Sequence, residues 1–302
     1  MLQFATKPMM QRRDTFIDGV RLAYLEHGAA RVGSPSLLLF HGLIANAESF
    51  SMLAACLSGY HIVALDMPGS GESDHVGVEP DFASLARITR AFADAVGLHR
   101  PVLIGHSHGG AIALRIAVTD PAWAEGLVLL CPAHPFSGTE EQLVRFYLSS
   151  PGRLFARNIP KLPRWVHRTA FHWMPGRRLQ LGDEQLEPYL ETLRTPRTIA
   201  YTLRLLESWK QDMQTLGAEL ELDSLNTPTL LLWGERDLVV PPKTAAGLLQ
   251  HLSHAKLVTL KGVGHLPNDE APEECARLIA AWLANVAPAT TASAQTQPAP
   301  RS

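Results

Sequence analysis

Pro101-Val102-Leu103-Ile104-Gly105-His106-Ser107-His108-Gly109-Gly110-Ala111-Ile112-Ala113-Leu114-Arg115-Ile116-Ala117 sets one serine between two glycines, where an apolar run gives way to helix-forming residues. Read as strand, turn and helix, the junction forces Ser107 into a strained backbone conformation. A Cβ two positions to either side would collide within the turn, so glycine is required at 105 and 109. The hydroxyl then stands proud of the sheet, beside the positive end of a helix. As a bare pattern Gly-x-Ser-x-Gly arises often by chance. In this frame it makes Ser107 a candidate nucleophile.

Outward from this junction, strand and helix alternate. Thr15 to Glu26 reads as two short strands around Asp18-Gly19, and Leu37 to Phe40 and His61 to Leu65 as strands covered on both faces. Helical patterns run from Ser49 to Leu57 and from Phe82 to Val96, and Leu127 to Leu130 is a further strand. The alternation stops at Pro132. From His134 to Asn226 the chain is helical or irregular, rich in Arg, Trp, His and Pro, with no strand pattern. It resumes with the strand Thr229 to Trp233, a helix from Lys243 to His251, the strand Lys256 to Leu260 and a helix from Pro272 to Asn285. The pattern predicts an α/β fold with a mostly parallel sheet flanked by helices, and a helical cap, or lid, inserted after the sixth strand. The expected division is a core from 1–133 and 227–287, a cap from 134–226 and a disordered tail from 288–302.

A chain of 302 residues buries a large core, and a formal charge of −2 supplies no global attraction for nucleic acid or a membrane surface. Three cysteines, Cys56, Cys131 and Cys275, are too few and too scattered for a disulfide framework or a zinc site and read as buried apolar fillers. With neither an apolar leader near the N-terminus nor a membrane-spanning run, the expected location is cytoplasmic.

A serine nucleophile needs a base, and the base needs an orienting group. Asp237 lies in Trp233-Gly234-Glu235-Arg236-Asp237, just past one predicted strand, and His265 in Gly262-Val263-Gly264-His265, just past the next. The carboxyl ends of parallel strands share one rim, so Ser107, Asp237 and His265 converge there. Phe40-His41-Gly42-Leu43 opens another loop toward that rim. The backbone N–H groups of Leu43 and His108 then face the oxygen of a bound acyl group as an oxyanion hole. His41, Gly42 and His106 flank the site, the two histidines as hydrogen-bonding neighbours rather than bases. Asp66 also ends a strand, but its place before Pro68-Gly69-Ser70-Gly71 suits it to holding a turn. Asp74 and His75 are expected to face solvent, and Asp269 and Glu270 to favour the start of the last helix.

These motifs, with Asp66-Met67-Pro68-Gly69-Ser70-Gly71-Glu72-Ser73 and Gly234-Glu235-Arg236-Asp237, resemble the α/β-hydrolase fold family, in its capped subgroup of small bacterial-type hydrolases. The resemblance implies Ser107 as nucleophile, Asp237 as orienting acid and His265 as base, with no metal or organic cofactor. The family's epoxide hydrolases and dehalogenases carry aspartate at the nucleophile position, and a serine there argues against both chemistries. The expected activity is hydrolysis of a carboxylic ester or related acyl bond through an acyl-enzyme. Carbon–carbon hydrolases of ring-cleavage products, lactonases, thioesterases and acyltransferases use the same triad, and a ligand-binding receptor that kept the fold is the non-enzymatic alternative.

Between Gly152 and Arg178 the chain carries Arg153, Arg157, Lys161, Arg164, Arg168, Arg177 and Arg178 with no acidic residue, interleaved with Phe155, Trp165, Phe171, Trp173 and Met174. One reading is a solvated cationic face over aromatics that roof a pocket. The other is attraction of an anionic or carrier-linked acyl substrate.

Overall fold

The computed structural model describes residues 10–138, 140–173, 181–219 and 222–286. The predicted tail from 288 onward lies outside the described residues, as do Met174, Arg177 and Arg178. Strands β1 (Gln11–Ile17), β2 (Val20–His27), β3 (Ser36–Phe40), β4 (His61–Leu65), β5 (Val102–His106), β6 (Gly126–Leu130), β7 (Thr229–Gly234) and β8 (Ala255–Leu260) form one eight-stranded sheet in the order β1-β2-β4-β3-β5-β6-β7-β8. β2 pairs antiparallel with β1 and with β4. Every pairing from β4 to β8 is parallel.

The apolar runs explain this architecture. β4, β5, β6 and β7 are buried at every residue, as strands covered on both faces must be. Successive side chains alternate between two layers. Leu38 and Phe40 pack with Phe82 and Phe92 of α2 (Phe82–Ala95) and Ile112 of α3 (His108–Thr119). Leu37 and Leu39 pack on the opposite face with Leu53 of α1 (Ser51–Cys56) and Ile279 of α11 (Pro272–Val286). Each such side chain stabilises the fold by roughly 1.5–3 kcal/mol.

Between β6 and β7 the described residues form helices and no strand: α4 (Glu140–Leu148), α5 (Ser150–Asn158), α6 (Arg164–Trp173), α7 (Asp183–Arg194) and α8 (Pro196–Gln214). This segment has an apolar cluster of its own, in which Ile159, Phe171, Leu186, Leu190 and Leu203 meet Ala45 and Leu266 from loops at the sheet's rim. Among the described residues β7 is followed by two short α-helices, α9 (Ala245–Leu249) and α10 (Pro267–Glu270), before α11. Among the described residues no helix is long and apolar enough to cross a membrane.

The cysteine reading needs correction. Cys131 and Cys275 are buried, but Cys56 is exposed. It is the last residue of α1, whose buried residues are Ser51, Leu53 and Ala54.

Candidate active site

β5 delivers Ser107 with φ 50° and ψ −118°, and the chain enters α3 at the next residue. A non-glycine residue held there costs on the order of 1–3 kcal/mol, so it persists only where the surroundings fix it. They do so through the main chain: Ser107 N–H donates to Leu130 O at 3.0 Å, and its carbonyl accepts from Gly110 at 2.9 Å and Ala133 at 2.9 Å. The flanking glycines answer close approaches. A Cβ at Gly105 would lie 2.5 Å from Gly109 O, and one at Gly109 would lie 2.2 Å from Phe40 O. Gly109→Ala is therefore expected to destabilise the fold by about 3 kcal/mol, since backbone on both sides cannot yield; a thermal melt within two degrees of wild type would contradict this.

The loop after β3 lies against Ser107. A Cβ at Gly42 would sit 2.9 Å from His106 Nδ1 and 3.2 Å from Ser107 Cβ. His41 holds this loop: its Nδ1–H donates to Gly42 O at 2.8 Å and its Nε2 accepts from Met67 N–H at 3.0 Å. Burial pushes its pKa down, consistent with that neutral tautomer. Among the described residues the amides of Leu43 and His108 donate no hydrogen bond. That of His108 opens α3, where the first N–H groups lack intrahelical acceptors and the helix dipole favours negative charge.

β7 and β8 supply the remaining pair. Their end turns touch, because a Cβ at Gly234 would fall 1.9 Å from Gly264 O. His265 Nδ1–H donates to Asp237 Oδ2 at 2.8 Å, with side-chain exposures of 4% and 0%. Asp237 Oδ1 accepts from Val239 N–H at 2.8 Å and Val240 N–H at 2.9 Å. His106 ties the serine strand to the histidine loop, since its Nε2–H donates to His265 O at 2.7 Å. Burial, and then the neighbouring His265, push the His106 pKa down to about 3, so its imidazole is neutral. Among the described residues Ser107 Oγ makes no hydrogen bond, leaving it free toward the cavity it lines.

That cavity, of about 120 Å³, is walled by Leu43, Ile44, Tyr147, Ile159, Leu203, Trp209 and Val240, with no charged side chain among its lining residues. A second cavity of about 530 Å³ opens beside it between α4 and α8, lined by His134, Arg145 and Lys210 among others. The two share only Val144, Leu206 and Trp209, so the larger does not reach Ser107. The His108 ring lies edge-on to Phe82 and stacked on Trp209, its Nε2 unpartnered, and burial pushes its pKa down to about 3.

Three arginines of the inserted helices have acidic partners from later in the chain. Arg153 pairs with Glu207 at 2.7 Å, Arg164 with Glu187 at 2.5 Å and Arg168 with Asp183 at 2.7 Å. Asp66 accepts from the amides of Ala47 at 2.7 Å and Glu72 at 3.0 Å and from Arg12 at 2.9 Å, as a turn-holding role requires. Asp74 and His75 depart from expectation: Asp74 accepts from Arg21 N–H at 2.8 Å, and His75 bonds Thr198 of α8 at 2.9 Å.

Glu270 also departs from expectation. Its carboxylate turns back to accept from Gly264 N–H at 2.8 Å and Leu266 N–H at 3.0 Å, either side of His265. Asp269 accepts from Tyr189 Oη of α7 at 2.5 Å, and burial pushes its carboxyl pKa up to about 8. Cys131 Sγ lies within 4.8 Å of the ligand-type atoms of Asp237 and His265. Burial raises that thiol's pKa well above its usual value, and both neighbours are committed to each other, so the donor set suits a hydrogen-bonded pair better than a metal centre.

Residues 35–272 match the family model described as alpha/beta hydrolase fold. An uncharacterised hydrolase, YugF, of Bacillus subtilis (strain 168) is 28% identical over 278 residues, covering 88% of this chain and 96% of that protein. Lipase 1 of Psychrobacter immobilis is 27% identical, covering 87% and 80%. Epoxide hydrolase 4 of Mus musculus is 29% identical, covering 88% and 77%. Among solved structures, a membrane phospholipase A described as a bacterial virulence factor superposes with a TM-score of 0.74 at 27% identity, covering 92% of this chain and 86% of that one.

Proposed function

The chain belongs to the alpha/beta hydrolase fold family, and on that premise we propose that it is a serine hydrolase that cleaves esters of short, uncharged acyl groups. The observation that carries this reading is the Asp237–His265 bond of 2.8 Å, on the rim where Ser107 faces an apolar cavity. In the proposed reaction Ser107 Oγ attacks the acyl carbonyl while His265 Nε2 takes its proton. Asp237 holds the Nδ1–H tautomer and stabilises the imidazolium. The amides of Leu43 and His108 receive the oxyanion, each contributing about 3 kcal/mol to the transition state. His265 returns the proton to the departing alkoxide, then activates water to release the acid. Residues 134–226 act as the cap that shapes the cavity.

The paired arginines and the uncharged lining favour a neutral acyl group over an anionic or carrier-linked one. Serine at 107 in place of a carboxylate disfavours epoxide opening, despite the epoxide hydrolase among the relatives. The lipase and phospholipase relatives fit an acyl ester.

A fluorophosphonate probe is expected to label Ser107 stoichiometrically, located by peptide mass spectrometry. An unreactive Ser107 in folded protein would favour the ligand-binding alternative. A panel of esters, thioesters and lactones then identifies the acyl bond. At about 120 Å³ the cavity is well below the roughly 300–1,000 Å³ of ordinary ligand pockets. Within the p-nitrophenyl series kcat/KM is therefore expected to peak at acyl chains of about six carbons or fewer and to fall at least 100-fold (~3 kcal/mol) by palmitate. A flat profile would show that the cavity does not set acyl length.

A further inference from the structure

α10 is a four-residue helix that follows the histidine loop directly, and its Asn268, Asp269 and Glu270 are 0%, 2% and 6% exposed. Buried carboxyl groups in so short an element are unfavourable unless each is bonded to something that matters. Asn268 Nδ2 donates to Ser49 O at 2.8 Å, and Asp269 receives Tyr189, so both anchor the helix. Glu270 does something different. Its two oxygens each take an amide, Gly264 on one side of His265 and Leu266 on the other. Leu266 caps α10 without a polar side chain, so the free amides at this turn depend on Glu270.

We propose that Glu270 is a positioning residue for His265: its carboxylate fixes both ends of the turn that carries the imidazole and sets a second negative charge beside it. The assignment rests on the triad proposed above. It reaches beyond a structural clasp because the carboxylate lies against the turn on both sides of the imidazole; burial raises its pKa, and the two amides and His265 oppose that rise. His265 is faced by Asp237 from the end of β7, Glu270 from α10, His106 from the end of β5 and Cys131 from the end of β6. Glu270 in turn is faced by His265, Asp237, Asp269 and Cys275. With His106 neutral and Cys131 protonated, Asp237 and Glu270 are the negative charges available when the imidazolium forms during attack.

The test compares Glu270→Gln and Glu270→Asp in the full chain, normalised to folded protein by circular dichroism. Glutamine keeps the size, but its NH2 must confront one of the two amides, and the charge is gone. We expect kcat to fall roughly 10- to 100-fold with KM nearly unchanged, as displacement of a reacting group produces. The acidic limb of kcat/KM against pH is expected to move to lower pH, because an imidazolium that loses a negative neighbour forms less readily. The low-field proton resonance of the Asp237–His265 bond should broaden or vanish. Aspartate keeps the charge but shortens the reach, so its limb should stay at the wild-type pH while kcat falls. A Glu270→Gln variant with wild-type kcat and an unmoved limb overturns the proposal, as does a lowered Tm with both kinetic quantities intact. If the glutamine variant does not fold, Glu270→Asp with unchanged kcat and an unchanged resonance overturns it equally. Turnover retained by Ser107→Ala would instead sink the triad itself. Loss of turnover in Ser107→Ala beside a wild-type Glu270→Gln would sink the Glu270 assignment alone.

Discussion

Ser107→Ala is expected to lower kcat for a short-chain p-nitrophenyl ester by roughly 10⁴- to 10⁶-fold, the range for loss of a triad member acting as part of a unit. The fold should be unaffected. The bonds that hold residue 107 in its turn are main-chain bonds to Leu130, Gly110 and Ala133, and alanine makes them all. Ser107 Oγ makes no hydrogen bond among the described residues, so its removal strands no buried partner. Alanine at φ 50° bears a backbone strain comparable to that of serine. Tm should therefore stay within a few degrees while turnover and fluorophosphonate labelling disappear. Turnover at the wild-type rate would remove Ser107 from the chemistry.

Asp237→Asn has the next largest expected effect, a loss of about 10⁴-fold in kcat. The direction follows from which oxygen does what. Oδ1 accepts two amides, from Val239 and Val240, while Oδ2 takes His265 Nδ1–H. The asparagine carbonyl must stay with the two amides, because turning it away would set the side-chain NH2 against both N–H donors. The side-chain NH2 then faces Nδ1 and obliges it to accept. The imidazole proton moves to Nε2, where it points at the serine that should be giving its own proton away. The structure survives and the base is lost. Single-turnover acylation kinetics would read the loss, together with disappearance of the low-field resonance. Activity within tenfold of wild type would show that Asp237 does not set the tautomer.

Much of the fold was legible because a buried parallel strand is a continuous apolar run, and Leu37 to Phe40, His61 to Leu65 and Leu127 to Leu130 read that way. The helix before the elbow was legible from periodicity, and the one after it from its run of helix-forming residues. The rim was legible too, since Ser107 and Asp237 each stand just past such a run and His265 just past the mixed strand that follows. The inserted helices were harder. Arg153, Arg164 and Arg168 look unpaired until the chain is folded, because Glu207, Glu187 and Asp183 come from helices further along. Glu270 was misread for a similar reason. Two residues before Pro272, an acid suits a helix start, and no linear pattern shows that its carboxylate turns back by four and six residues. The signal available was an acid five positions after His265 in a Pro-x-x-Glu step. His75 and Asp74 fail in the same way, since a loop sequence does not announce that α8 or β2 will cover it.

The Tyr189–Asp269 bond of 2.5 Å is joined by Gln185 Nε2, which donates to the Asp269 carbonyl at 3.0 Å. Helix α7 is thus fastened to the same four residues whose last member grips the histidine turn. The inserted helices and the His265 turn therefore cannot be exchanged as independent modules. A chimera that imports another protein's insertion leaves Asp269 with the Asn268 amide but without its α7 partner unless it also imports the matching tyrosine, and the fault appears next to the imidazole rather than at the graft. In recombination or directed evolution, residues 181–194 and 265–270 travel as one cassette.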